Sequence, residues 1–253
     1  MTRKKSGTSS KTATATKNAR SYARRRELAE KIVAALRQLY PDAKCSLNYR
    51  TPLELLVATM LSAQCTDERV NQVTPALFAR FRTAEDYAQA DQKELEKYIR
   101  PTGFYRAKAK NLIACCRALV EKYGGQLPQT LEELTKLPGV GRKTANVVLG
   151  TLWGVPGIVV DTHVRRLARR MGLTRHTDPL KIEQDLMQLI PRDEWVAFGH
   201  RMIYHGRQVC LARKPKCEGC ALSAFCPKVG LGTRKPSRPK PGSRKTHNRE
   251  AAR

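Results

Sequence analysis

The segment Leu137-Pro138-Gly139-Val140-Gly141-Arg142-Lys143-Thr144-Ala145 is the most informative part of the chain. A short helix is predicted just before it, over about residues 131–136, and a second helix begins within it. Two glycines one residue apart allow a tight turn and a close approach by another chain, while the new helix presents unpaired amides at its positive end. A phosphate group fits there. With Leu-Pro before the glycines, Thr-Ala after them and positive charge around them, the segment predicts a helix-hairpin-helix that grips the DNA backbone without reading sequence.

Lys143 lies in the first turn of the second helix, about 200° around the helix axis from Ala145. It therefore faces away from the stripe predicted to be buried, which comprises Ala145, Val148, Leu149 and Leu152. The helix dipole disfavours an ammonium group at this end, and burial against DNA would favour the free amine that a nucleophile requires. The alternative is that Lys143 is one more lysine that contacts phosphate.

Asp161 follows Lys143 by eighteen residues, after a short apolar connector over 155–160. It is predicted to cap a helix whose buried face is Val164, Leu167, Ala168 and Met171. Capping is the simpler role. The functional alternative is that this carboxylate lies near Lys143, accepts a proton and stabilises positive charge at a sugar carbon.

Four cysteines, Cys210, Cys217, Cys220 and Cys226, have the spacing C-x6-C-x2-C-x5-C in a segment with little apolar material. This spacing predicts a metal centre, and zinc and an iron-sulfur cluster both remain possible because each can be held by four thiolates. The basic residues Arg213 and Lys214 lie in the loop between the first two cysteines and are predicted to contact phosphate. The remaining cysteines lack this spacing and are interpreted as core or partly exposed thiols: Cys45, Cys65, Cys115 and Cys116.

Charge indicates the kind of partner. The 253 residues contain 48 Lys and Arg against 22 Asp and Glu, a net charge of +26, with nine bases and no acid in residues 1–26 and nine bases and one acid in residues 227–253. The body between them is itself basic, so a polyanion, most simply nucleic acid, is the expected partner. No apolar run is long enough to cross a membrane, and no signal-peptide core is present. A reducing cytoplasmic compartment is therefore expected, in which cysteines bind metal or stay free.

Helix starts recur along the body and no comparable strand pattern appears, which predicts an all-α protein. Capping residues begin helices at Thr51, Thr83, Thr130 and Asp178. Ahead of them, apolar residues three or four apart over 28–39 describe an amphipathic helix that ends near Pro41. The tails are rich in Ser, Thr, Pro, Gly and Lys, and residues 1–21 and 229–253 are expected to be disordered.

The hairpin with Lys143, the position of Asp161 and the four-cysteine spacing occur in an order that resembles the endonuclease III family of DNA glycosylases, over roughly residues 27–226. The resemblance implies a six-helix barrel domain over 45–155 that contains the helix-hairpin-helix. It also implies a second domain, formed by 22–44 with 156–228, around a [4Fe-4S] cluster. DNA would lie over the cleft between the two domains.

By the same resemblance, Lys143 is the nucleophile that attacks the sugar C1′ and forms a Schiff base, and Asp161 is the essential carboxylate. Gln64 matches the residue that fills the gap left by an extruded nucleotide, and Phe104 matches an inserted wedge, where bacterial relatives often have leucine. Their alternatives are an ordinary polar helix residue and a partly buried aromatic. The expected DNA contacts are Gln64, Phe104, Gly139, Val140, Gly141, Arg142, His163, Arg213 and Lys214.

The implied function is a bifunctional DNA N-glycosylase and abasic-site lyase that removes oxidised pyrimidines from double-stranded DNA and breaks the strand by β-elimination. It is expected to work as a cytoplasmic, nucleoid-associated monomer with a [4Fe-4S] cluster and no membrane partner. One rival is a monofunctional adenine glycosylase, a branch that lacks the lysine and usually carries a C-terminal recognition domain, for which the 27 residues after Cys226 are too few. A second rival is a non-catalytic DNA-binding module. A third, an RNA-binding protein, is disfavoured because the sequence has no aromatic-rich sheet motif.

Overall fold

The structure is a computed structural model that describes the backbone of residues 9–231 and the side chains of residues 19–231. Within that range it contains α-helices and two 3-10 turns and no strand, so the all-α prediction is confirmed for the described part of the chain. The helices are α1 (Ser9–Leu39), α2 (Pro52–Leu61), α3 (Asp67–Arg80), α4 (Ala84–Ala88), α5 (Gln92–Ile99), α6 (Tyr105–Tyr123), α7 (Leu131–Leu134), α8 (Arg142–Trp153), α9 (Thr162–Arg170), α10 (Pro179–Leu189) and α11 (Trp195–Gln208). The 3-10 turns are Arg100–Thr102 and Arg192–Glu194. None of the described helices is long and apolar enough to pass through a bilayer.

Side-chain caps begin four of these helices where the sequence predicts them. Thr51, Thr83, Thr130 and Asp178 each accept a hydrogen bond from the backbone N–H three residues further on. Each such cap stabilises its helix by about 1 kcal/mol, because it satisfies an amide that the helix itself leaves unpaired. The local signals in the sequence therefore fix where the helices start.

Two separate hydrophobic cores divide the described chain. The first is built from residues between Leu47 and Leu149 on α2–α8. The second combines Ala29, Ile32, Val33 and Leu36 of α1 with residues between Ile158 and Leu222. We call the parts around these cores the first lobe and the second lobe, and they support the proposed division of the chain into two domains.

Several contacts join the lobes. Arg142 at the start of α8 makes two parallel hydrogen bonds, of 2.9 and 2.8 Å, to the carboxylate of Glu183 on α10. Arg207 on α11 donates to Asp67 at the start of α3 over 2.7 Å. Gly150 of α8 lies so close to α11 that a Cβ there would stand 3.1 Å from Val196 Cγ2. The first ion pair lies at the start of α8, next to the hairpin, and the second lies at the start of α3, which follows the Gln64 loop.

Helix α1 is longer than the sequence predicts. It ends at Leu39, as expected, but it begins at Ser9, inside the segment 1–21 that was expected to be disordered. The structure thus places residues 9–21 in a helix that continues into the predicted amphipathic helix, whereas the composition of this segment predicts disorder. Tyr22 also holds this part of α1 to α10, since its hydroxyl donates to the carbonyl of Gln188 over 2.9 Å. Residues 1–8 and 232–253 lie outside the described residues.

Candidate active site and nucleic-acid interface

The predicted hairpin lies between α7 and α8, with a backbone that only glycine can form at one position. Gly139 has φ of +76°, and a Cβ there would stand 2.8 Å from Asn111 Cβ and 3.0 Å from Met60 Cε. Val140 is buried and its N–H donates to the carbonyl of Leu137, which closes the turn and leaves that amide unavailable to a phosphate. Gly141 is the N-cap of α8 and has no side chain to pair with the first-turn amides. Those amides and the helix dipole therefore face an approaching anion.

Lys143 is exposed in the first turn of α8, and the predicted buried stripe of the same helix faces the first core. The positive charge of Lys143 also acts on the carboxylate of Asp67. Burial alone would raise the pKa of Asp67, but hydrogen bonds from Ser46 and Arg207, and the charges of Arg207 and Lys143, hold that pKa below its ordinary value. Asp67 is therefore an anion in the first turn of α3, and the charge of Lys143 adds to its stabilisation.

Asp161 is half-buried and caps α9, as predicted. Its Oδ1 accepts from the N–H of Val164 over 2.8 Å, and its Oδ2 makes no hydrogen bond within residues 19–231. The carboxylate acts electrostatically on Arg207, the arginine that pairs with Asp67. The Asp67–Arg207 ion pair is thus within electrostatic reach of both predicted catalytic residues, Lys143 from one side and Asp161 from the other.

His163, a predicted DNA contact, is half-buried beside Asp161. Burial lowers the pKa of His163, the charge of Asp161 opposes that effect, and the cation Arg166 reinforces it. Arg166 Nη2 lies 3.2 Å from His163 Nδ1. The histidine is consequently neutral at neutral pH, so it can meet a DNA strand as a hydrogen-bonding group but not as a cation.

The guanidinium of Arg142, a predicted DNA contact, is paired within the protein. It is committed to Glu183 in the two-bond pairing that joins the lobes, and this pairing raises the pKa of Arg142. Glu183 is buried, so removal of the arginine would leave a buried carboxylate without its cation. The side chain of Arg142 therefore holds the hairpin against α10.

Gln64 and Phe104 stand on two separate loops with strained backbones. Gln64 is exposed in the loop between α2 and α3, with φ of +53°, and it is not part of a helix. Phe104 has φ of +49°, and 67% of its surface is exposed. Residues other than glycine rarely adopt such φ values, and an exposed phenylalanine contributes nothing to the core. The position of Gln64 in a loop argues against an ordinary helix residue, and the exposure of Phe104 argues against a partly buried aromatic.

A buried lysine connects these two loops. Lys108 is 8% exposed, and its Nζ donates to the carbonyl of Leu61 over 2.7 Å and to that of Thr102 over 2.8 Å. Leu61 ends α2 just before the Gln64 loop, and Thr102 stands two residues before Phe104. Burial lowers the pKa of Lys108. The ammonium group of Lys108 thus fixes the distance between the end of α2, where the Gln64 loop starts, and Thr102, just before Phe104.

Replacement of Lys108 by methionine should destabilise the protein by about 3 kcal/mol, because methionine fills the space but leaves two buried carbonyls without donors. Urea unfolding followed by circular dichroism measures this. Lys110→Met is the matched control, since Lys110 is exposed on the same helix, and its effect should stay within about 0.5 kcal/mol. Equal unfolding midpoints for the two variants would contradict the bridging role of Lys108.

The four predicted metal-binding cysteines line one cavity in the second lobe. All eight cysteines of the chain are free thiols. Within residues 19–231, no three His, Cys, Asp or Glu side chains are grouped so as to hold a single metal ion. Cys115 and Cys116 are buried in the first core, where burial raises the pKa of Cys115 to about 12. Those two are inert core residues, as expected.

The basic loop between Cys210 and Cys217 is anchored by two arginines of α9. Arg166 donates to the carbonyl of Cys210 over 3.0 Å, and Arg170 donates to those of Leu211 and Ala212 over 2.6 and 2.8 Å. The predicted phosphate contacts Arg213 and Lys214 are exposed on this loop, and Lys214 has φ of +49°. The loop is therefore fixed at its base and charged at its tip.

Sequence reasoning missed the residues that support this site: Asp67, Lys108, Arg166, Arg170, Glu183 and Arg207. Asp67 and Arg207 are separated by 140 positions, and each one alone looks like an ordinary surface charge. A signal did exist for Lys108, because it lies at a helix position whose neighbours, Ala109 and Leu112, are fully buried. Which partner each of these charges finds depends on how the two lobes meet.

Comparison with known proteins agrees with this arrangement. Residues 57–192 match the HhH-GPD superfamily of base excision DNA repair proteins. The chain is 56% identical over 209 residues to endonuclease III of Synechocystis sp. (82% of this chain, 95% of that protein) and 46% identical over 189 residues to endonuclease III of Bacillus subtilis (74% and 86%). A solved non-covalent endonuclease III–DNA complex has 47% identity and a TM-score of 0.78, over 80% of this chain and 95% of that one. A trapped covalent endonuclease III–DNA intermediate has 46% identity and a TM-score of 0.78 over 80% and 96%.

Proposed function

The chain belongs to the endonuclease III family of the HhH-GPD superfamily, and on that premise we propose that it is a bifunctional DNA glycosylase and abasic-site lyase that removes oxidised pyrimidines in base excision repair. The observation that carries the proposal is the position of Lys143. This amine is exposed at the positive end of α8, beside a hairpin built for phosphate, and within reach of the charges at the junction of the lobes. The lysine speaks against the adenine glycosylase branch, and the charges around it exceed what a passive DNA-binding module needs.

The chemistry divides between Lys143 and Asp161. The neutral amine of Lys143 attacks C1′ of the deoxyribose, the bond from C1′ to the damaged base breaks, and the base leaves with a proton. The C1′–O4′ bond of the sugar ring then breaks, O4′ takes a proton and C1′ becomes the carbon of an iminium, the Schiff base; with an abasic sugar, whose C1′ carries a hydroxyl, the same iminium forms with loss of water. A proton then leaves C2′, the C3′–O bond breaks, and hydrolysis of the iminium returns the free lysine. Asp161 Oδ2 faces this step as a fixed anion that stabilises the positive charge that develops on the sugar.

Extrusion of the damaged nucleotide precedes this chemistry and is the role of the two strained loops. The vacated space in the base stack is filled by Gln64, while the exposed ring of Phe104 wedges against neighbouring bases. Because Lys108 fixes the starting points of both loops relative to each other, Gln64 and Phe104 enter the duplex together. A phenylalanine adds stacking to space filling, so the preferred lesion depends partly on this ring.

The cofactor that we propose is a [4Fe-4S] cluster held by Cys210, Cys217, Cys220 and Cys226. These four free thiols line one cavity and fit such a cluster, which would be held by four cysteine thiolates. When bound, the cluster supplies a rigid centre for a segment in which Leu222 is the one fully buried apolar side chain. The protein's residues do the rest: Arg166 and Arg170 hold the loop that carries Arg213 and Lys214 toward DNA.

We also propose that the protein acts as a cytoplasmic monomer on the nucleoid. One chain supplies Lys143, Asp161, Gln64 and Phe104, so the site is complete without a partner subunit. The strongly basic composition of the chain favours continuous contact with chromosomal DNA.

Borohydride trapping tests the proposed function. Wild-type protein mixed with duplexes that contain an abasic site, thymine glycol or dihydrouracil should become covalently linked to DNA, and mass spectrometry of the digested adduct should locate the link at Lys143. A duplex with adenine opposite 8-oxoguanine should give no adduct. Absence of any adduct on all the oxidised-pyrimidine and abasic duplexes would reject the lyase and favour the non-catalytic alternative.

The loop that carries Arg213 and Lys214 provides a separate prediction. Replacement of both residues by alanine should reduce the slope of log affinity against log salt by about 1 to 2, because each lost phosphate contact releases one fewer counterion. Fluorescence anisotropy with an undamaged duplex measures the slope. Lys93→Ala/Lys122→Ala removes the same charge from exposed positions of the first lobe and should leave the slope unchanged. An unaltered slope in the loop variant would remove this loop from the DNA interface.

A further inference from the structure

A second basic groove lies in the second lobe, between residues 20–31 of α1 and the C-terminal end of α9. Five arginines line it: Arg20, Arg24, Arg25, Arg169 and Arg175. Its other lining residues include Leu28, Phe225 and Val229, which give it a partly apolar floor. We call this the arginine groove. None of its residues belongs to the candidate active site.

The arginine groove is separated from the catalytic residues by the length of α9. Asp161 caps the first turn of that helix, whereas Arg169 lies in its last turn. Nine helical residues span about 13 Å. Beyond that end, the N–H of Val229 donates to the carbonyl of Arg170 over 2.9 Å and brings the end of the described chain against the groove. The groove therefore lies at the opposite end of α9 from Asp161.

The charge of the groove is only partly neutralised by the protein, because Glu27 is the one carboxylate among its lining residues, and a hydrogen bond from Lys31 and the charges of Lys31 and then Arg24 lower the pKa of Glu27. Lys31, which also lines it, pairs with Glu27 over 2.7 Å, but none of the five arginines has a carboxylate within 4 Å among residues 19–231. Arg25 adds a more specific sign, since its Nε is buried and has no hydrogen-bond partner there. Buried donors are almost always paired, so this nitrogen shows that the described part of the protein supplies no acceptor to Arg25 Nε.

We propose that the arginine groove binds the phosphates of a second DNA segment while the first segment occupies the catalytic cleft. This inference uses the proposed function only in taking DNA as the substrate. Guanidinium groups match phosphate oxygens with two parallel hydrogen bonds, and several of them in a row suit a repeating anion. The second segment is either a distant part of the same DNA or another duplex, and the chemistry of recognition is the same for both.

The basic chain on both sides of the groove favours DNA over an acidic peptide. Residues 1–19 carry five Lys and Arg and no acid, and they connect to the groove at Arg20. Residues 232–253 carry eight Lys and Arg and one acid, and they follow directly on Leu231, next to the groove residue Val229. Positive charge that continues along the chain in both directions suits a long polyanion more than a short one. An enzyme that holds two segments can pass from one to the other without release into solution.

The experiment first occupies the catalytic cleft with a covalently bound DNA duplex. Borohydride links the wild-type protein to a short abasic duplex, and a longer undamaged duplex with a different fluorophore is then titrated into the purified adduct. Arg24→Glu/Arg175→Glu should weaken this second binding by at least about tenfold, because two phosphate contacts become repulsive. Lys93→Glu/Lys122→Glu makes the same change in net charge at exposed positions outside the groove and should weaken it by less than about twofold.

Each outcome decides the proposal. A loss confined to the groove variant supports it. Equal losses in both variants, or no second duplex bound by the wild-type adduct, would overturn it. If a labelled glutamate-rich peptide binds the adduct through the two arginines and the duplex does not, the groove recognises acidic polypeptide and the proposal is also overturned. Failure of the first trapping step counts against the lyase alone, since the salt slope of the free protein for the long duplex still tests the groove: it should fall by about 2 in Arg24→Glu/Arg175→Glu and stay constant in the control.

Discussion

Replacement of Lys143 by alanine should leave duplex binding nearly intact while it lowers the rate of abasic-strand cleavage by more than about 10³-fold, since loss of a nucleophile removes the covalent route altogether. The fold has no reason to change. Lys143 is exposed, alanine favours helix at this position of α8, and the turn before it is set by Gly139, whose surroundings stay the same. Single-turnover cleavage at saturating enzyme separates the chemical step from binding, and borohydride should yield no adduct.

Lys136→Ala is the matched control for this prediction. Lys136 is exposed on the other side of the hairpin and carries the same charge, so its removal changes the local positive potential without touching the amine that reacts. Its single-turnover rate should equal that of the wild type. Cleavage by the Lys143→Ala variant within tenfold of wild type would mean that another amine performs the attack, and Lys143 would then be a phosphate contact of the kind that the sequence left open.

Local signals in the sequence were enough to predict much of the secondary structure. Thr51, Thr83, Thr130 and Asp178 cap their helices because each interaction spans three residues, and any sequence that contains the cap contains its partner. The hairpin was predictable for the same reason, since its glycines act on their own backbone. The buried stripes of α8 and α9 follow from the helical period alone.

Contacts between the lobes were beyond such reasoning. Arg142 was expected to face DNA, and no local feature shows that Glu183, forty-one residues later, takes up its guanidinium. The same holds for Arg207 and Asp67, which lie on opposite sides of the lobe junction. Pairing across a junction is decided by how two cores pack, which depends on the volumes of many side chains together. The early start of α1 is a different case, because a polar composition was given more weight than helix propensity.

Backbone strain gives an independent view of where the function lies. Four described residues other than glycine have positive φ: Gln64, Phe104, Lys214 and Lys228. The first three are among the DNA contacts that the resemblance and the basic loop predict. Strain of this kind costs stability and persists only where the surrounding structure enforces it, as Lys108 does for two of the loops. The backbone thus marks the same surface as the side chains.

Substitution of Asp161 by asparagine should lower single-turnover glycosylase activity by about 10² to 10⁴-fold while DNA affinity stays within a fewfold of wild type. The variant isolates the charge. Asparagine caps helices as well as aspartate does, so the hydrogen bond from Val164 N–H survives and α9 stays in place. What is lost is a carboxylate whose Oδ2 makes no hydrogen bond within residues 19–231, and with it the proposed stabilisation of positive charge on the sugar as the base leaves.

Asp178→Asn makes the same chemical change at a helix cap that has no part in the site. Asp178 caps α10 by accepting from Lys181 N–H over 3.0 Å, so both variants should keep their unfolding free energies within about 0.5 kcal/mol of wild type, and only Asp161→Asn should lose activity. Near-normal turnover in Asp161→Asn would reduce this carboxylate to a cap. Equal loss in both variants would trace the effect to helix stability. Because the two residues share their structural role, a difference between them measures what Asp161 contributes through its charge.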